Sequence, residues 1–372
     1  MKKVLLACTV PALDVYSIGI VSASLKNEQL DCFACVFLDG NDNRSEKEHL
    51  DRFGLSEKEQ HKIHFYKLHQ NKIARILSGP RYLDLVKDLA ALYKVTYVHF
   101  ITQDVMLYGH LKKFRDFKLY YTVHDLVPHP VKLSPLVRLK HYYFRIRKDA
   151  LLIKAIPNLV TNSDHQLQRL LDLYPNKQVY HHPMPGIRPA IERGTSKVPE
   201  LKEIENYILF FGKIEAYKGV AELYQAFFQS PFLSNYKLVI AGTGFIYFPR
   251  SSNEKDVVFI NRFIVDEEVG DLFSKALLLA MPYQSATQSA VTAIAYHYHV
   301  PVVGSDIDGL RDTILHEKTG LLYDRSVPEA LEAALQRMLS DSNLRQTVYD
   351  YLTSSMIYNE DLLRQKISMI YR

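Results

Sequence analysis

The chain has 372 residues, 47% apolar and 23% charged, which excludes wholesale disorder, collagen-like repeats and a coiled-coil rod and allows two ordinary domains. The net charge is +5, with 27 Lys+Arg against 18 Asp+Glu in residues 1–186. A basic first half suits an anionic partner, although scattered solvated lysines would give the same count.

The opening MKKVLLACTV looks like a signal peptide. Its apolar stretch is short and Asp14 follows soon after, so it is read as a buried strand. Apolar runs then recur along the chain, alternating with helical patterns. In the first half they cover 3–7, 32–38, 63–68, 97–101, 118–123, 159–162 and 179–182. In the second half they cover 207–212, 237–241, 257–261, 277–282, 301–304 and 320–323. Most are continuously apolar, as expected of strands buried on both faces by crossover helices, so parallel α/β sheets are expected. None approaches the length of a membrane span. Proline and glycine cluster between residues 182 and 202 and mark a linker. The expected organisation is a Rossmann-like domain over 1–186, a linker over 187–202 and a second Rossmann-like domain over 203–350. A last helix over 351–372 would cross back to the first domain.

Two segments carry chemistry. In ILFFGKIEAYKGVAELYQAF a strand ends at Gly212, Lys213 and Lys218 flank a short loop, and Gly219 opens an amphipathic helix. Backbone N–H groups at a helix start and two lysines make an anion site, although an ordinary βα turn with solvated lysines has the same pattern. In LLLAMPYQSATQSAVTAIAYHYHVPVVGSD the loop 284–289 is small and polar. Thr287 and Ser289 can cap the next helix, and their hydroxyls can also meet phosphate or ribose.

Together these segments resemble the nucleotide-sugar domain of GT-B glycosyltransferases, specifically the retaining glycosyltransferase family 4. AGTG (241–244), NRFIVDEEV (261–269), YYTVHDLVPH (120–129) and LVTNSDHQLQRL (159–170) extend the resemblance. It implies a GT-B fold of two Rossmann-like domains facing across a cleft, the first (1–186) binding the acceptor and the second (203–350) the nucleotide sugar. Gly212, Lys213, Lys218, Gly219, Thr287 and Ser289 would hold the donor diphosphate. Gly242, Phe263, Ile264 and Gln288 would meet the nucleoside. His124, at a strand end, would contact the donor sugar and act in catalysis with the two lysines; His99, Asp125 and His129 are further cleft candidates. The family implies retention of configuration and no divalent metal or other cofactor.

The family's paired glutamates fall on Ala286 and Ile294, so neutral hydrogen bonds from Thr287, Gln288 and Ser289 would have to substitute. The glycine-rich turn after the first strand is also missing. The first departure motivates an alternative, a catalytically inactive accessory or binding protein. Three patterns are set aside as metal sites. Cys32 and Cys35 would face opposite sides of a strand. Asp306 and Asp308 match a D-x-D string that arises easily by chance. His181/His182 and His297/His299 lack a partner set. The basic, aromatic segment 132–154 suits an anionic membrane surface as well as it suits a packed helix, and no nucleic-acid motif accompanies it. A cytoplasmic protein on the inner face of the membrane, using a glycan or lipid-linked acceptor in bacterial surface polysaccharide synthesis, is the expectation.

Overall fold

The computed structural model describes residues 1–10, 15–104, 106–126, 142, 146–186, 191, 194–252, 254–286, 289–354 and 360–371. These form two units, one from residues up to 126, 142–186 and 360–371, the other from residues 191–354.

The first unit is built on β1 (Lys2–Cys8), β2 (Leu30–Leu38), β3 (Ile63–Lys67), β4 (Tyr97–Phe100), β5 (Lys118–Thr122), β6 (Asn158–Thr161) and β7 (Gln178–His181). They form one parallel sheet in the order β3-β2-β1-β4-β5-β6-β7. The continuous apolar runs follow from burial on both faces. Val4, Leu6 and Cys8 point into one core with Tyr16 and Ile18. Leu5 and Ala7 point into the other with Phe33, Phe37 and Phe100. Cys32 and Cys35 are divided between these two cores, as their spacing in a strand requires. Fully burying one such large apolar side chain contributes roughly 1.5–3 kcal/mol.

The last helix, Glu360–Ile370, belongs to this unit. It buries Leu363, Ile367 and Ile370 in the core shared with the helix Val15–Leu25. Asn27 Nδ2 donates to the Arg364 carbonyl at 2.7 Å, and Lys2 Nζ to that of Tyr371 at 2.7 Å.

The second unit holds β8 (Tyr207–Phe211), β9 (Lys237–Ala241), β10 (Val257–Ile260), β11 (Ala276–Met281), β12 (Val302–Ser305) and β13 (Gly320–Tyr323). This sheet is also parallel, in the order β10-β9-β8-β11-β12-β13. In such sheets ligands sit outside the carboxyl ends of the strands, where the order reverses. That point lies between β1 and β4 in the first unit and between β8 and β11 in the second. Among the described residues no helix is long and apolar enough to cross a membrane. Of the basic segment 132–154, residues 132–141 and 143–145 lie outside the described residues. Its described end is the helix Arg147–Ala155, which buries Asp149, Leu152 and Ile153.

Candidate functional site

Both motif segments of the second unit fall at its reversal point. The loop 212–219 leaves β8 and the loop 282–289 leaves β11. Glycines let the loops from neighbouring strands nest. Gly242, at φ 141°, could not carry a side chain, because a Cβ would stand 2.0 Å from the Gly212 carbonyl oxygen. Gly219, at φ 68°, likewise would press a Cβ to 1.9 Å from the Pro282 oxygen. Backbone bonds complete the nest. Ile214 N–H donates to Thr243 O at 2.8 Å and Gln284 N–H to Tyr217 O at 2.6 Å. Asn261 accepts from Gly244 N–H at 3.1 Å and donates back to Gly244 O at 2.9 Å, joining the β10 loop to the β9 loop.

Two cations stand on this base. Lys213 is exposed and has no hydrogen bond or ion pair. Lys218 is half-buried rather than solvent-facing, because its ammonium lies over the Tyr283 ring at 5.3 Å from the centroid. The ring is 3% exposed, and its hydroxyl is buried without a hydrogen-bond partner. The helix Val220–Gln229 starts at Gly219 with no side-chain cap. Among its first N–H groups, Ala221 donates to Tyr247 Oη at 3.4 Å. Glu222, the acid of the first turn, is taken up by Arg325 at 3.0 Å and Tyr323 at 3.2 Å. The helix start therefore keeps its positive character.

Ser289 is buried and its hydroxyl accepts from Val291 N–H at 3.3 Å, capping the helix Ala290–His297. Thr287 and Gln288 lie outside the described residues, as does His129. Ala286 is half-buried, and Ile294 is a core residue at 3% exposure. Phe263 is 69% exposed while the side chain of Ile264 is buried. Phe263 follows Arg262, whose guanidinium is held between Glu200 (2.8 and 2.9 Å) and Glu268 (2.7 and 2.8 Å). A second exposed ring, Phe245, stands on the β9 loop. Asp306 and Asp308 are both bonded to Arg311. Among the described residues no group of three His, Cys, Asp or Glu side chains could hold a metal ion.

In the first unit His124 lies just beyond β5 and is half-buried. Gln166 clamps the backbone on both sides of it. Its amide donates to Val123 O at 2.7 Å and its oxygen accepts from Leu126 N–H at 2.7 Å. Gln166 is placed by Ser163, which caps its helix. His124 Nε2 meets the Ile101 carbonyl at 2.7 Å. Asp125 is half-buried. His99 is 1% exposed, with both ring nitrogens taken, by Tyr371 Oη at 2.8 Å and Thr122 Oγ1 at 3.0 Å. Desolvation pushes its pKa down to about 3, and it offers no nitrogen to a ligand. Tyr16, Thr122 and Tyr283 were not singled out by sequence, and His182 was weighed there only as a metal ligand and set aside. Only Tyr283 had a signal, its place directly after the strand-ending Pro282.

Residues 193–353 match the family model described as glycosyl transferases group 1. The chain is 28% identical over 233 residues to the D-inositol 3-phosphate glycosyltransferase of Kineococcus radiotolerans, covering 53% of this chain and 52% of that protein. It is 22% identical over 151 residues to the capsular polysaccharide biosynthesis glycosyltransferase CapM of Staphylococcus aureus, covering 39% and 40%. The chain thus spans about half the length, or less, of these curated relatives. The crystal structure of Anabaena HepE in complex with UDP-glucose superposes with a TM-score of 0.70 at 15% identity, covering 99% of both chains. The match to the glycosyl transferases group 1 family is thus confined to residues 193–353, and the chain as a whole has the GT-B fold.

Proposed function

We propose that this chain is a glycosyltransferase that moves a sugar from a nucleotide diphosphate donor to a hydroxyl acceptor, with retention of configuration and without a divalent metal. The observation that carries the reading is the loop 212–219. An unpaired Lys213, a Lys218 seated on Tyr283 and an uncapped helix start converge where a doubly wound sheet takes its ligand. Such a set can neutralise a departing diphosphate as a metal would. The UDP-glucose in HepE supports a nucleotide-sugar donor. His124 would contact the donor sugar, and Gly242, Phe263 and Ile264 the nucleoside. No nucleophile is assigned, since family resemblance implies reaction on one face of the sugar, with the leaving phosphate taking the acceptor proton.

CapM's name and the basic first half support an acceptor in bacterial surface polysaccharide or lipid-linked glycan synthesis, met in the cytoplasm at an anionic membrane. The test is nucleotide diphosphate release with a panel of donors, with and without EDTA. Release that survives EDTA supports the reading. Release that vanishes and returns with manganese or magnesium refutes metal independence.

One observation favours a second reading, a binder without turnover: Ile294, at the second acidic position, is apolar and buried. If the enzyme reading holds, Gln288 serves the ribose in its place. Calorimetry should then show Gln288→Ala weakening nucleotide diphosphate binding while Ala286→Gly changes little. An unpaired buried ribose hydroxyl costs about 1–3 kcal/mol. Unchanged affinity in Gln288→Ala, with no turnover in the wild type, would favour the binder.

A further inference from the structure

Five side chains from separate parts of the first unit are joined end to end beside His124. Tyr371 Oη lies 2.8 Å from His99 Nδ1, and His99 Nε2 lies 3.0 Å from Thr122 Oγ1. Thr122 Oγ1 lies 3.4 Å from Tyr16 Oη, and Tyr16 Oη lies 3.0 Å from His182 Nε2. His182 Nδ1 closes the row on the Pro183 carbonyl at 2.8 Å.

That carbonyl fixes the direction of every bond. It can only accept, so His182 Nδ1 carries a proton. Burial keeps His182 neutral, with its pKa pushed down to about 4. Its Nε2 is therefore bare and accepts from the Tyr16 hydroxyl. The Tyr16 oxygen then accepts from Thr122, Thr122 from His99 Nε2–H, and His99 Nδ1 from Tyr371.

Tyr16 is the member that meets His124. Their rings are edge to face, with centroids 5.0 Å apart and planes at 79°. Tyr16 also stacks on His182 at 5.7 Å. The Ile101 carbonyl can only accept, so the proton of a neutral His124 sits on Nε2. Nδ1 has no hydrogen-bond partner. Turning the ring over would put Cε1 in the place of Nε2 and Cδ2 in the place of Nδ1, so that the carbonyl would no longer fix the proton on Nε2, and terminal ring torsions are soft.

We infer that Tyr16 is a positioning residue for His124. Its ring, tied at the hydroxyl, holds the imidazole with Nε2 on the Ile101 carbonyl and Nδ1 offered as an acceptor to a hydroxyl of the donor sugar. Only the naming of that hydroxyl rests on the glycosyltransferase reading; the ring orientation does not.

The test uses the full chain with labelled histidine, and His124→Gln assigns the His124 signals in ring 1H–15N correlation spectra. Wild type and Tyr16→Phe should both show a single Nε2–H tautomer. Tyr16→Leu, or Tyr16→Met if the leucine variant does not fold, should show averaged shifts of a mixture. In nucleotide-release assays the leucine variant should lose about tenfold in kcat with donor KM changed less than about twofold, and Tyr16→Phe should restore most of the rate. An unchanged His124 tautomer in the leucine and methionine variants overturns the inference. So does a phenylalanine variant as impaired as the leucine one, because the ring would then not be the agent. A shifted tautomer in a protein whose wild type releases no nucleotide confirms the positioning and overturns the transferase reading instead.

Discussion

The two sheets reverse strand order in the same way yet treat polarity at that point oppositely. In the first unit the row from Tyr371 to His182 is internal, and its members use up one another's hydrogen bonds, as His99 does with Tyr371 and Thr122. In the second unit the loops are stapled through backbone and Asn261, while the full charges of Lys213 and Lys218 stay free of carboxylates. The difference separates two ways of preparing a site. A closed neutral network gives orientation at the cost of sensitivity to protonation. An open cationic loop gives charge at the cost of sensitivity to salt.

Acid should break the first arrangement before the second. His99 and His182 have folded pKa values pushed down to about 3 and about 4 by burial, from an ordinary 6.5. Below about pH 6.5 the unfolded chain takes up protons that the folded chain refuses. Their contribution is therefore complete above that pH, falls as pH drops, and levels off only below the folded values. Each amounts to on the order of 3–5 kcal/mol at the acid limit. Denaturant melts between pH 7 and pH 4 should show a shallower loss in His182→Gln than in wild type; equal slopes would mean that His182 is not held neutral.

The next largest effect belongs to the lysines. Lys213→Ala and Lys218→Ala are each expected to cost on the order of 2–4 kcal/mol in the transition state, read as kcat/KM for nucleotide release. Lys213 is exposed, so its removal should leave the melting temperature in place, and wild-type nucleotide affinity should fall with added salt. Near wild-type turnover in both variants would remove the diphosphate assignment.

The smallest effect sharpens the second site. Tyr283 buries a hydroxyl with no hydrogen-bond partner. Tyr283→Phe keeps the ring beneath Lys218 and removes the orphan, so the ligand-free protein should gain about 1 kcal/mol. Thermal melts with and without nucleotide diphosphate check this. A gain confined to the free protein would mean that the hydroxyl is used when ligand is bound.

The thirteen strands among the described residues were legible because both sheets are buried on both faces, so each strand reads as an apolar run. Their observed ends differ from the expected ones by at most two residues, as at Leu30, which extends β2 before Cys32. The loop 212–219 was legible because its charges and glycines are contiguous. The row from Tyr371 to His182 was not, because bonded neighbours within it are up to 272 positions apart and only the fold brings them together. The same reasoning explains Lys218. Its charge was visible in the sequence, but its seat on Tyr283 depends on β8 and β11 lying side by side.

The three cysteines of the chain are Cys8, Cys32 and Cys35, all in the sheet of the first unit, reduced and sealed. Burial pushes the Cys32 and Cys35 thiols far up, away from the reactive thiolate. With the sheet intact an alkylating reagent finds no nucleophile, so labelling proceeds at the rate at which this sheet opens. Because no cysteine lies in residues 191–354, the native chain carries a clock for the opening of one unit alone, and the two cysteines of β2, facing opposite cores, tell whether both faces open together.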